Sequence, residues 1–288
     1  TMTLAVFDIG GSAVKYGKWE NQTLSETGQF KTPETLTAMQ DEMKAVIAHF
    51  GDEIEGVAIS SPGAVNVKDR RIDGISAVEY LHQRPIFDEL EAALGYPITI
   101  ENDANCAGIC EMKLGAGQGI QHAIFVVIGT GVGGAIFING QLYKGAHLFG
   151  GEFGLVINAN GQSLSTNGTA VNTAARFSKE KGTTISGKEL FDLADAGDVA
   201  AMEALNGMYD HLAEALYNLQ VSIDPEMIII GGGISARPDV TEAIRMRLAT
   251  LLEANLVPGA MPLVKACTFQ NNANLIGAAV NYEIVTQA

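Results

Sequence analysis

The segment Ile128-Gly129-Thr130-Gly131-Val132-Gly133-Gly134-Ala135 constrains this chain more than any other. The apolar run Ala123-Ile124-Phe125-Val126-Val127 precedes it, and Ala135-Ile136-Phe137-Ile138 follows. It therefore reads as strand, glycine turn, strand. A turn with so little side-chain bulk lets backbone N–H groups approach an anion closely, and the expected ligand is a phosphate. The spacing Gly129-x-Gly131-x-x-Gly134 fits the dinucleotide fingerprint, but that motif requires a helix after the glycines. Here the following residues are β-branched and aromatic, and Asn139-Gly140 then gives a strong hairpin signal. A strand stands where the helix should be, so the dinucleotide reading fails. No Gly-Lys-Ser/Thr ending is present to make a P-loop.

The N-terminus repeats the pattern. Leu4-Ala5-Val6-Phe7 runs into Asp8, then Ile9-Gly10-Gly11-Ser12, then the partly alternating run from Ala13 to Trp19. Asn21-Gln22 marks a second turn and Thr23 to Lys31 a third strand, just as Asn139-Gly140 leads to Gln141-Leu142-Tyr143. Two α/β halves, each opening on a strand–glycine–strand phosphate turn, are expected to hold one nucleotide in a cleft between them. Apolar spacing predicts helices over 34–50, 87–94, 104–114, 169–180, 187–195, 198–222, 239–254 and 274–285. Gly115 to Gly119 predicts the domain break. The expected domains are 1–117 with 275–288, and 118–274. A length of 288 residues agrees with two domains.

A formal net charge of −15 leaves no basic surface to displace counterions from nucleic acid, and it disfavours anionic membranes. A bound nucleotide must then be held by local N–H groups and a cation. Cys106, Cys110 and Cys267 form no disulfide framework, which fits a reducing cytoplasm. Neither a signal peptide nor a membrane span is read.

In chain order the motifs are Asp8-Ile9-Gly10-Gly11-Ser12, Pro62-Gly63, Glu101-Asn102-Asp103-Ala104-Asn105, Gly129 to Gly134, Gly150-Gly151-Glu152-Phe153-Gly154 and Gly231-Gly232-Gly233-Ile234-Ser235. In this order and spacing the chain resembles the ROK family of bacterial sugar kinases, within the actin-like ATPase superfamily. The resemblance implies two ribonuclease H-like α/β domains flanking a central cleft. It implies ATP and Mg2+, with Asp8 near the metal through water, and with Gly10, Gly11, Ser12, Lys15, Gly129, Thr130, Gly131 and Gly133 at the phosphates. Gly231, Gly232 and Gly233 resemble the adenosine-side turn. Asp103 is the expected general base, held as the anion at a helix N-terminus. Gly63, Asn102 and Glu152 match sugar-binding positions. Glu79, Tyr80, His82 and His147 are further candidates for the sugar side.

The chain departs from the family in one place. Leu155 replaces the His of the family's Glu-x-Gly-His, and Ser163 to Thr169 contains no cysteine where the family carries a zinc cluster. A zinc site needs all its ligands, so no zinc site is expected. The family's second sugar-binding Glu falls near Asn172, an altered pocket wall that leaves room for a substituted sugar. The expected activity is ATP-dependent phosphorylation of a sugar hydroxyl, at C6 of glucose or a β-glucoside. An N-acyl hexosamine kinase of the N-acetylmannosamine type and a non-catalytic sugar-binding relative are the alternatives. The expected partner is a small sugar, without nucleic acid or membrane, and the resemblance admits a homodimer.

Overall fold

The computed structural model describes residues 2–287. It divides into two compact units, one from the described residues up to Gly115, Gly145–Phe149 and those from Asn271 onward, the other from Ala116–Lys144 and Gly150–Gln270. The division departs from the expected one at Gly145–Phe149, which clusters with the first unit because the chain leaves its own sheet after the third meander strand. It also returns to the first unit slightly earlier, before the last helix begins.

The first unit opens with β1 (Leu4–Ile9), β2 (Ala13–Glu20) and β3 (Thr23–Lys31), then α1 (Leu36–Phe50) and β4 (Gly56–Ser61). A small hairpin, β5 (Ala64–Asn66) and β6 (Arg71–Asp73), precedes α2 (Ile86–Leu94), β7 (Ile98–Asn102) and α3 (Asp103–Leu114). The second unit holds β8 (Ala123–Ile128), β9 (Val132–Ile138), β10 (Gln141–Tyr143), α4 (Leu164–Asn167), α5 (Ala170–Lys181), α6 (Gly187–Asp195), α7 (Val199–Ile223), β11 (Met227–Gly231), α8 (Pro238–Ala254) and β12 (Leu263–Ala266). The last helix, α9 (Ala273–Gln287), belongs to the first unit and packs against α3 and the sheet.

The two sheets have the same plan. The orders are β3-β2-β1-β4-β7 and β10-β9-β8-β11-β12, in each an antiparallel meander continued by two parallel strands. Two-residue hairpin loops set both meanders. Asn21 and Gln22 both take positive φ, as do Asn139 and Gly140, the backbone whose twist matches the flanking strands. The inner strands are apolar along almost their whole length, and both faces are buried. Phe7, Ile59 and Ile100 anchor the first core with Met39, Met43 and Leu90. Ile124, Ile228 and Ile230 anchor the second with Leu212, Leu216 and Leu248.

Candidate active site

Parallel register lines up the carboxyl ends of three neighbouring strands in the first unit. Asp8 pairs with Ser60, and Ser60 with Glu101; Ser61 pairs with Asn102. Ligands of open α/β sheets gather at this edge. Asp8 lies there with its carboxylate accepting from Ser60 Oγ at 2.7 Å and from Asn274 Nδ2 at 3.3 Å. Burial raises its pKa, and the bonds from Ser60 and Asn274 and the charge of Lys15 pull it back. Lys15 is the register partner of Asp8 on β2 and is exposed. The turn after β1 is closed by Gly10 N donating to Ala13 O at 3.0 Å. Thr32 bolts it down, with Oγ1 donating to Gly10 O at 2.6 Å and N donating to Ser12 O at 3.1 Å.

At the end of β7 the helix starts one residue earlier than expected. Asn102, not Asp103, is its N-cap, and Asn102 Oδ1 accepts from Asn105 N at 3.2 Å. Asn102 Nδ2 donates to Gly63 O at 2.9 Å, so one side chain ties the Pro62-Gly63 turn to the start of α3. Asp103 occupies the first helical turn, half-buried, with Oδ1 accepting from Ala104 N at 2.8 Å. Glu101 is buried beneath them, and its Oε1 accepts from Asn102 N at 2.8 Å and Asn105 Nδ2 at 3.0 Å. Asp103 thus sits in the first turn beside the cap and not at it.

In the second unit the glycine turn is shorter than its sequence suggests. It comprises Gly129, Thr130 and Gly131, closed by Gly129 N donating to Gly131 O at 2.9 Å. Gly133 and Gly134 lie inside β9 and are not part of the turn. Gly134 has a steric reason instead: a Cβ there would overlap the Phe153 ring and sit 2.6 Å from Phe125 O. Gly151, at φ +94°, approaches the same strand from the other side, 2.6 Å from Gly134 O by the same measure. The two glycine motifs thus exist partly to meet each other, and their crossing fixes Glu152 between Gly151 and Phe153. Glu152 is an exposed residue, yet desolvation raises the pKa of its carboxylate.

The three glycines after β11 also separate by role. A Cβ at Gly231 would lie 2.6 Å from the Phe125 ring, and Gly232, at φ +92°, runs against the backbone of Ile128. Gly233 has open space, as does Gly129. Both open glycines line one cavity of about 470 Å3, walled by Ile128, Ala170, Val171, Phe191 and Ile234. That volume suits a nucleoside. Among the polar residues of its rim, Lys188 is paired with Asp192 at 2.8 Å. Arg237 is paired with Asp195 and Asp239 and lies over the Phe191 ring. The apolar wall, from α5 and α6, escaped the sequence reading because nothing distinguishes its residues from ordinary core. Gly129→Ala therefore leaves the melting temperature unchanged and weakens AMPPNP binding by about tenfold or more, measured by calorimetry.

A family model described as the ROK family matches residues 3–283. The chain belongs to the ROK family. It is 32% identical to the β-glucoside kinase of Listeria innocua, over 98% of this chain and 97% of that one. Among solved structures it is similar to a ROK family protein from Streptococcus pneumoniae TIGR4 in complex with sucrose, at 34% identity and TM-score 0.92 over 100% of both chains. It is also similar to a ROK family glucokinase from Streptomyces griseus in complex with glucose and AMPPNP, at 25% identity and TM-score 0.77, over 99% of this chain and 100% of that one.

For a ROK protein, the segment from Ser163 to Thr169 is the unusual part. Hydroxyls and amides hold it. Ser163 caps α4 by accepting from Thr166 N at 3.3 Å, and Thr169 caps α5 by accepting from Asn172 N at 3.3 Å. Asn172 Nδ2 donates to Ser165 O at 2.9 Å and so ties α5 to α4. Leu155 is exposed where the family pattern has histidine. Sequence reasoning missed Ser60, Asn274 and Ser165. Only Asn274, a polar residue opening an apolar helix, carried a signal.

Proposed function

We propose that the protein is an ATP-dependent sugar kinase that moves the γ-phosphoryl group to the C6 hydroxymethyl oxygen of a β-glucoside or of glucose. The observation that carries the reading is Asp103, a half-buried carboxylate on the ligand edge of the sheet that is freed from capping by Asn102. Full-length similarity to a β-glucoside kinase supports the choice of substrate.

In this reading Asn102 and Gly63 shape one sugar wall, and Glu152 accepts from sugar hydroxyls. Asp103 orients the attacking hydroxyl in line and takes its proton as the bond to phosphorus forms. Phosphoryl transfer has a loose transition state, so this positioning matters more than early deprotonation. Backbone amides of Thr130 and Gly131 donate to the phosphates, while Gly129 N closes the turn on Gly131 O. Asp8 would suit a magnesium ion held through water, because a cation beside it would offset the burial that raises its pKa. When bound, that ion would balance the triphosphate charge. The proposed setting is the cytoplasm, and none of Cys106, Cys110 and Cys267 is in a disulfide.

The raised pKa of Glu152 gives a pH signature. Its folded value lies above its unfolded one, so the ionised group costs stability above the folded pKa and nothing below the unfolded one. Sugar binding by the carboxylate runs the other way and weakens as pH falls through the raised pKa. KM for the sugar rises on that acid limb. Glu152→Gln removes the limb and melts higher than wild type at neutral pH. A flat pH profile for the wild-type sugar KM would remove Glu152 from the sugar site. The substrate is tested directly by mass and NMR analysis of the product from a panel of glucose, β-glucosides and N-acyl hexosamines, with 6-phosphorylated β-glucoside the expected product.

A further inference from the structure

The glycine turn that opens β9 has few neighbours of its own. Gly129 faces open space, and Gly129 and Thr130 are exposed. A glycine turn is conformationally permissive, so ordering it around a triphosphate costs entropy unless something fixes it beforehand. Its exit residue is fixed from outside the sheet. Val132 N donates to Ser165 Oγ at 3.0 Å, and the same hydroxyl reaches Val132 O at 3.5 Å. Gly131, one residue back, lies against this hydroxyl, since a Cβ there would be 3.3 Å from Ser165 Oγ. Gly154 closes on the other side, against both Val132 O and Ser165 Oγ.

Ser165 is itself held firmly. Its carbonyl accepts from Asn172 Nδ2 at 2.9 Å and from Thr169 Oγ1 at 3.3 Å. Arg176 ties down the next residue, with Nη1 donating to Thr166 O at 2.8 Å. A chain of bonds therefore runs from the first turns of α5, through α4, to the exit of the phosphate turn.

We propose that Ser165 is a positioning residue for the nucleotide: its hydroxyl presets the amides of Thr130 and Gly131 for the β- and γ-phosphates. The inference rests on the reading of this turn as the ATP turn. Ser165 touches no phosphate in this account. It acts through Val132, and it gives Asn172 a role in nucleotide affinity as the support of that brace.

The test is calorimetric binding of AMPPNP, without sugar, to wild type, Ser165→Ala and Ser165→Thr, with steady-state kinetics in parallel. The expected result for Ser165→Ala is about tenfold weaker AMPPNP binding and a matching rise in KM for ATP, the size of one hydrogen bond. Its kcat at saturating ATP stays within about twofold, because a brace contributes to binding the ground state and transition state alike. Ser165→Thr keeps the hydroxyl and binds like wild type. Amide exchange in free Ser165→Ala is faster at 129–132 and unchanged in β11. Affinity of Ser165→Ala within about twofold of wild type overturns the proposal. So does a Ser165→Thr protein that loses as much affinity as the alanine variant. Wild type that fails to bind AMPPNP sinks the ATP reading itself, a distinct outcome.

Discussion

Asp103→Asn lowers kcat by about three orders of magnitude, the middle of the range for removing a general base. The variant folds and binds AMPPNP as the wild type does. The change is nearly isosteric, and the Oδ1 that accepts from Ala104 N is kept. Capping of α3 is untouched because Asn102 performs it. The Asn102 bond to Gly63 and the Glu101 bonds beneath also survive. What is lost is the carboxylate that receives the hydroxyl proton. Stopped-flow or coupled assays measure the turnover, and calorimetry the binding. An Asp103→Asn enzyme with more than about a tenth of wild-type kcat takes the base role from Asp103.

Gly151→Ala acts on the fold. Gly151 sits at φ +94°, where a side chain is strained, and the new methyl would lie 2.6 Å from Gly134 O and 2.9 Å from Ala135 Cα. Those atoms belong to β9, which is paired on both edges and cannot retreat. Backbone strain of about 1–3 kcal/mol and overpacking of about 1–3 kcal/mol act together. Their sum is a large share of a typical folding free energy of about 5–15 kcal/mol. The expected result is a much lower urea midpoint or an insoluble protein. Gly129→Ala is the control: it is the same chemical change, made at the other end of one strand pair, and it spares the fold because its methyl meets open space. A Gly151→Ala midpoint equal to that of wild type would contradict the close crossing of β9 and the Glu152 segment.

These two glycines show what the sequence made legible and what it did not. Strand–glycine–strand patterns, hairpin signals at Asn21-Gln22 and Asn139-Gly140, and apolar spacing fix the elements, and the doubled sheet order follows from them. Local chemistry decides those features. Which glycine serves a ligand and which serves packing depends on partners remote in the chain. Gly134 is paired with Phe153, Gly232 with Ile128, and Gly129 with nothing. A string of glycines looks alike in all three cases. The same limit separates Asn102 from Asp103. Both are good capping residues by type, and the choice depends on Gly63, 39 residues away, which claims the amide of Asn102. Asn274 reaches Asp8 from 266 residues away, a contact no local pattern encodes. At Ser163 to Thr169 the missing cysteines were legible as a loss, but the hydroxyl brace that stands in the segment was not.

The central claim is that this chain moves phosphate from ATP to a sugar. The direct measurement is ADP release by the purified full-length protein with Mg2+, ATP and each sugar of the panel, against the rate without sugar. Release is expected to depend on sugar, to be greatest with a β-glucoside such as cellobiose or with glucose, and to be matched mole for mole by sugar 6-phosphate. ADP release that no sugar in the panel raises above background would contradict it.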